Sequence, residues 1–184
     1  RLATLRAAVI HNDANDWNVL VDAQDADRIC GLIDLGDALH APVIAEVAIA
    51  AAYAGLDHAD PIGAAAEIAR GFHAEYPLLE EEINLLYDLI AIRLVTSVTM
   101  SASRRSHTDD NPYLAISERP AWELLRKLDR MNPRFATAIL RQACGFEAAP
   151  GARAVIDWID RNRKSLKPLL ERPAATYPAA LVPY

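Results

Sequence analysis

The sequence contains few of the residues on which disulfide-rich, metal-cluster and nucleic-acid-binding proteins depend. Its only cysteines, Cys30 and Cys144, stand far apart and neither has a C-x-x-C neighbour. This pattern predicts buried free thiols in a reducing, cytoplasmic compartment. Lys and Arg number 19 against 25 Asp and Glu, giving a formal net charge of -6. A basic face for nucleic acid or for an anionic membrane surface is therefore not expected.

Long apolar runs are also scarce. The longest, APVIAEVAIAAAYAG at residues 41–55, is interrupted by Glu46 and is too short to cross a bilayer. The start shows no signal peptide. Because the sequence begins on an arginine shortly before its first polar loop, we expect it to be part of a longer chain.

The composition is that of a globular protein, with 52% hydrophobic and 24% charged residues in a chain of 184. Two apolar runs joined by a polar turn predict a β-hairpin, and helical patterns follow from there on. The expected fold is α+β and mostly α, a small hairpin under a helical body, with one lobe at 1–165 and a Pro-rich extended tail or linker at 166–184. Helices are predicted at 42–54, 61–76, 78–105, 112–117, 120–130, 133–144 and 151–163.

The most informative segments are VIHNDANDWNVLVD at 9–22 and GLIDLGD at 31–37. Each brings a polar group to the end of an apolar strand. A hairpin turn centred on Ala26 would place Leu20 opposite Leu32 and Asn18 opposite Asp34. Asn18 and Asp34 would then lie at one end of the hairpin, beside the loop that carries Asp13.

This combination of side chains suits phosphoryl transfer. Amide and carboxylate oxygens are ligands for Mg²⁺, which takes its other ligands from water and substrate phosphates. A further carboxylate can accept the proton of an attacking hydroxyl. The spacing Asp13-x-x-x-x-Asn18, followed by Asp34-Leu-Gly, matches that of the base and the metal ligands in protein kinases.

The two segments resemble the signature of the aminoglycoside phosphotransferase and choline kinase family, which is close to H-G-D-x-x-x-x-N followed by I-D-F/W. The motif sequence HNDANDWN is most similar to that of the hydroxylysine-kinase-like branch. In bacteria that branch includes domains joined to a class III aminotransferase, so a fused aminotransferase is one partner that the resemblance implies. The resemblance is specific over 9–37, general over 38–145, and implies the C-terminal lobe of a kinase-like fold.

The family's site residues carry over by position. Asp13 resembles the catalytic base, and Asn18 and Asp34 resemble the metal ligands. His11 resembles the motif histidine, which braces the loop. Glu46 stands where the family commonly has an Asp, and a structural role is expected for it.

The implied activity is ATP-dependent transfer of the γ-phosphoryl group to the hydroxyl of a small amino-alcohol or amino-acid-like acceptor. Such a kinase holds ATP with a Gly-rich loop and a strand lysine. None of the seven glycines forms G-x-G, and the three lysines, Lys127, Lys164 and Lys167, all follow the motifs. We therefore expect ATP to be held by an N-terminal lobe that this chain lacks, and the chain alone to be inactive.

Other interpretations remain open at this point. A loop rich in Asn and Asp is often only a turn, although four residue types at four matching spacings argue against that. A non-catalytic kinase-like module accompanying a fused enzyme, and a metal-dependent hydrolase with His11 and Asp13 as ligands, are the alternative functions. The helix stripe Arg93, Ser97, Met100 and Arg104 is either a packed or solvated face, or the lining of the acceptor pocket, for which we single out Arg93 and Ser97.

Overall fold

The computed structural model describes residues 4–105 and 118–170. Its strands form two antiparallel pairs, one between β1 (Ala7–Ile10) and β4 (Leu39–Pro42), the other between β2 (Val19–Asp22) and β3 (Asp25–Leu32). A 3₁₀ turn, Leu35–Asp37, connects β3 to β4. The predicted α+β, mostly helical class is confirmed. The β1–β4 pair was not predicted, because its partners are separated by the whole hairpin.

The register of the hairpin differs from the prediction by one residue. Leu20 lies opposite Gly31, and the pairing shifts twice before the strands meet at Asp22 and Asp25. The prediction was wrong because the turn lies at residues 23–24 and the extra residues of β3 are absorbed by irregularities in the ladder. As a result, the backbone carbonyl of Asn18 accepts a hydrogen bond from the N–H of Ile33, the residue before Asp34, at 3.0 Å.

The strands are far more exposed than their apolar sequences suggest. Val9 and Ile29 are 75% and 69% exposed. Cys30, expected to be buried, is also exposed, whereas Cys144 is buried. The buried core is built mainly by residues of the helices, and the apolar side chains of the hairpin lie outside it.

The larger of two compact units ends at Ala148, and its described residues, 4–105 and 118–148, contain five helices. They are α1 (Val43–Ala54), α2 (Pro61–Glu75), α3 (Glu80–Arg105), α4 (Glu118–Asp129) and α5 (Pro133–Ala143). The second unit contains α6 (Ala152–Arg161) and α7 (Arg163–Leu170). The start of the predicted extended tail, residues 166–170, is therefore helical. Its remainder and the predicted helix at 112–117 lie outside the described residues.

The core is organised around the apolar stripe of α3. Ile83, Leu86, Ile90 and Leu94 are at most 2% exposed, as the periodicity predicts. Leu79, which was assigned to the same stripe, is 41% exposed, because the helix begins only at Glu80. Leu78 is buried instead.

By length and composition alone, residues 80–103 of α3 also meet the criterion for a membrane-crossing helix. A core helix of a soluble protein passes the same test. One stripe of α3 packs into the helical core, whereas Ile92 and Val95 on the same helix are 57% and 51% exposed.

A partly buried ion pair anchors the chain just before β1. Arg6 Nε donates to Glu82 Oε1 at 2.9 Å, and the Glu82 side chain is fully buried at the start of α3. Burial opposes ionisation of Glu82, but the hydrogen bonds from Arg6 and from the N–H of Leu79 outweigh it and leave the pKa of Glu82 lowered. This pair ties the residue before β1 to the start of α3.

The N-cap of α2 provides a test of the fold. Asp60 Oδ1 accepts a hydrogen bond from the N–H of Gly63 at 2.9 Å, with Pro61 in the first turn, as the Asp-Pro pair predicts. Asp60→Ala should lower the free energy of unfolding by about 0.5–2 kcal/mol. Asp60→Asn is the matched control and should cost little, since Asn caps equally well. Urea unfolding of both variants checks this, and equal losses would show that the cap is not the cause.

Candidate active site

The loop between β1 and β2 is shaped by its own polar side chains. Asn12 has a left-handed backbone with a φ of 67°, which Asn tolerates better than most residues. The backbone N–H of Asn15 donates to the Asp13 carbonyl at 2.9 Å, and Asn15 Oδ1 accepts from the N–H of Trp17 at 2.8 Å. Asn12 and Asn15 thus do form the turn, and this turn holds Asp13 in place.

Four donors surround the carboxylate of Asp13. Oδ2 accepts from Asn15 Nδ2 at 3.0 Å and from Asn18 Nδ2 at 3.1 Å. Oδ1 accepts from the hydroxyl of Tyr53 at 3.0 Å and from Arg93 Nη2 at 2.8 Å. A carboxylate has about four acceptor positions, so this one is held in a single orientation.

His11 connects the loop to the strand that leads to Asp34. Its Nδ1 accepts from the N–H of Asp13 at 3.3 Å, and its Nε2 lies 2.7 Å from the carbonyl of Ile33. These partners assign the tautomer with the proton on Nε2. With both ring nitrogens bonded to protein groups, His11 has no nitrogen left for a metal, which argues against the hydrolase alternative.

Glu46 supports the same loop from the first turn of α1. Its Oε2 accepts a hydrogen bond from the N–H of Asn12, the residue that directly precedes Asp13, at 2.8 Å. An acidic side chain is favoured at this end of a helix. The contact therefore holds the left-handed residue in place.

Asn18 and Asp34 differ in how they are held. Asn18 is buried, and its Nδ2 donates to both the carbonyl and the carboxylate of Asp13. Among the described residues, its side-chain oxygen accepts no hydrogen bond and is available to a metal. Asp34 is exposed, has a φ of 61°, and its side chain does not cap the short helix that follows. A Cβ at Gly36 would lie 3.3 Å from Asp34 Oδ1, so glycine leaves space beside this carboxylate.

These two oxygen donors fit Mg²⁺. No group of three or more His, Cys, Asp or Glu capable of holding a metal occurs in residues 4–105 and 118–170. Mg²⁺ does not require such a cage, since it commonly binds one or two protein oxygens and completes its shell with water and phosphate. The donor set therefore suits a metal that arrives with a phosphate-bearing substrate.

Tyr53 and Arg93 join the site from α1 and α3. Arg93 Nη2 also donates to the Tyr53 hydroxyl at 2.8 Å, and the guanidinium lies over the Tyr53 ring, 5.3 Å from its centroid. Burial is the main reason that the pKa of Tyr53 is raised; Asp13 adds to the effect and Arg93 opposes it. Tyr53 was not predicted from the sequence, although Tyr53 follows Glu46 by seven residues and so shares its helix face.

A small cavity, open to solvent, adjoins this pair. Its polar lining comes from Tyr53, Arg93 and Ser97, and apolar side chains, among them Leu56 and Leu94, form the rest. Arg93 and Ser97 thus line one cavity, whereas Met100 is half exposed. The side chain of Arg104 lies outside the described residues.

Comparison with protein families matches residues 1–82 to the phosphotransferase enzyme family. This part of the chain is similar to that family. The matched segment contains the loop, the hairpin, Asp34 and α1, and with them all the predicted site residues except Arg93 and Ser97.

Curated relatives of the chain are named hydroxylysine kinase. The chain is 29% identical to the Mus musculus protein over 141 residues, which cover 73% of this chain and 38% of the relative. It is 29% identical to the Xenopus laevis protein over 139 residues, covering 71% and 37%. The chain thus spans well under half the length of these relatives. The predicted resemblance to this family and to its hydroxylysine-kinase-like branch is confirmed. No solved structure matches the chain.

Proposed function

We propose that the complete protein transfers the γ-phosphoryl group of ATP to the hydroxyl of a small, amino-acid-like acceptor. The observation that carries this proposal is the Asp13 carboxylate, which is fixed by four donors, two of them on the wall of an open cavity. The names of the relatives support hydroxylysine as the first acceptor to test.

In the proposed reaction Asp13 accepts the proton of the acceptor hydroxyl. The hydroxyl oxygen forms a bond to the γ-phosphorus, the bond to the bridging oxygen breaks, and ADP leaves. Asn18 and Asp34 would hold Mg²⁺, which neutralises charge on the phosphates when it is bound. His11 and Glu46 keep the loop that carries Asp13 in position through their backbone contacts.

The direction of approach follows from the donors on Asp13. Those on Oδ2, Asn15 and Asn18, belong to the loop itself, whereas Tyr53 and Arg93 on Oδ1 face the cavity. An acceptor hydroxyl arriving through the cavity therefore replaces one of the two bonds to Oδ1. Asn15 and Asn18 continue to orient the carboxylate while the proton is transferred.

We further propose that ATP is held mainly outside these 184 residues. The sequence has no G-x-G loop, and its lysines follow the catalytic motifs. The relatives extend well beyond the segment that matches this chain, and that extra length is enough for a nucleotide lobe. The exposed apolar side chains of the hairpin offer a surface on which such a lobe can pack. A cytoplasmic location and a fused aminotransferase stay predictions.

This division predicts how the 184-residue chain behaves alone. It should show no kinase turnover, and saturating Mg-ATP should raise its melting temperature little, because stabilisation follows the logarithm of ligand concentration over dissociation constant. Calorimetry with Mg-ATP measures the affinity directly. Micromolar binding would show that the nucleotide site lies within this chain.

The function itself is tested with the complete protein, Mg-ATP and a panel of acceptors: hydroxylysine, a simple amino alcohol and an aminoglycoside. Mass spectrometry should detect a phosphorylated acceptor, with hydroxylysine preferred. If none of the acceptors is phosphorylated while the protein is folded and binds ATP, the proposed function is wrong. The alternative of a non-catalytic kinase-like module is then favoured.

A further inference from the structure

We propose that Arg93 binds a carboxylate of the acceptor, so that the cavity selects amino-acid-like acceptors over amino alcohols. This inference rests on the proposed function for the place of the reacting hydroxyl at Asp13. It goes further in assigning the residue that distinguishes one class of acceptor from another.

Arg93 occupies the point where the cavity meets the proposed base. Its side chain is 22% exposed and lines the cavity, and its Nη2 lies 2.8 Å from Asp13 Oδ1. A small molecule that places its hydroxyl at Asp13 therefore has its other groups within reach of this guanidinium.

The guanidinium has unused hydrogen-bonding capacity. It carries five N–H donors, and its two hydrogen bonds, to Asp13 and Tyr53, both come from Nη2. Arg93 Nε is buried and has no hydrogen-bond partner among residues 4–105 and 118–170. A buried donor left unsatisfied is costly, so an acceptor oxygen at this position gives a favourable contact.

The chemistry of the cavity points to a carboxylate as that acceptor. The other residues that line it are neutral, among them Tyr53, Leu56 and Ser97. Arg93 is thus the cationic group of the lining, and the planar fork of arginine matches a carboxylate better than any uncharged oxygen. An acceptor that lacks this group would leave the Nε donor unpaired.

The test compares two acceptors in the complete protein: hydroxylysine, and its decarboxylated counterpart, which keeps the hydroxyl and both amines. Arg93→Gln removes the charge, and Arg93→Lys keeps a charge beside Asp13 but removes the fork. Arg119→Gln, at an exposed position in α4, is the matched control. Steady-state kinetics give KM and kcat for each acceptor, and calorimetry gives acceptor binding without ATP.

We expect Arg93→Gln to raise KM for hydroxylysine by about ten- to hundredfold, the range for losing a hydrogen bond to a charged group. The KM for the decarboxylated acceptor should change much less, although kcat falls for both because Asp13 loses a partner. Arg93→Lys should recover part of kcat without recovering the preference for hydroxylysine. Arg119→Gln should match the wild type in all respects.

Equal loss with both acceptors in Arg93→Gln would overturn the inference, since Arg93 would then act only by positioning Asp13. Failure of the wild type to bind hydroxylysine would overturn it as well. If the wild type phosphorylates neither acceptor but binds hydroxylysine in an Arg93-dependent way, the proposed function falls and the carboxylate site stands.

Discussion

Asp13→Asn in the complete protein is expected to reduce kcat by about 10²- to 10⁴-fold, the usual contribution of a positioned general base. The substitution keeps the size of the side chain and its contacts with Asn15 and Asn18 can be rebuilt in part, but an amide cannot accept the proton of the hydroxyl. Binding of ATP should change little, because Asp13 is assigned to the acceptor and not to the nucleotide. Steady-state kinetics and ATP calorimetry on one preparation measure both quantities.

Asp16 provides the control for this result. It lies in the same loop, is exposed, and has the same charge. Asp16→Asn should leave kcat near the wild-type value. If Asp13→Asn retains full turnover, or if Asp16→Asn loses as much, the loop carries no specific base and the assignment of Asp13 is wrong.

The second large effect is expected at Asp34. Asp34→Asn replaces a charged Mg²⁺ ligand by a neutral one at an exposed position where the side chain does not cap the turn that follows. The Mg²⁺ concentration needed for half-maximal turnover should rise at least ten- to hundredfold, the range found on removing even an outer partner of a bound metal. Titration of Mg²⁺ at fixed ATP, with stability followed in parallel, gives this value.

Asp37 is the matched control, since it is exposed, lies in the 3₁₀ turn that follows Asp34, and carries the same charge. Asp37→Asn should leave the Mg²⁺ requirement unchanged. A rise in the requirement for both variants would indicate a general loss of negative charge around the turn. A rise for neither would remove Asp34 from the metal site.

The local parts of the site could be predicted from the sequence because they depend on spacing along the chain. The hairpin, the loop at 11–18 and the cap at Asp60 all follow from turn-forming residues beside apolar runs. The register could not be fixed in the same way. A tight turn and irregular pairing in β3 moved Asn18 opposite Ile33, and neither feature leaves a clear signal in the residues.

The long-range part of the site needed the tertiary structure. Arg93 lies 80 residues from Asp13 in sequence, and a helical stripe alone did not show whether its side chain was solvated, packed or part of a pocket. Tyr53, in the last turn of α1, meets Asp13 and Arg93 because α1 contacts both β1, which leads into the loop, and α3. Periodicity predicted the buried face of α3 but not which polar side chains its edges would bring together.

Phosphorus NMR of one complete reaction tests the central claim most directly. Wild-type protein, Mg-ATP and hydroxylysine should give ADP and a phosphate monoester whose phosphorus couples to the proton on the former hydroxyl carbon. The same reaction with Asp13→Asn should give almost none of this signal in the same time. Release of inorganic phosphate alone, or a phosphoryl group on an amine nitrogen, would contradict the account, because in neither case has the hydroxyl of the acceptor received the phosphoryl group.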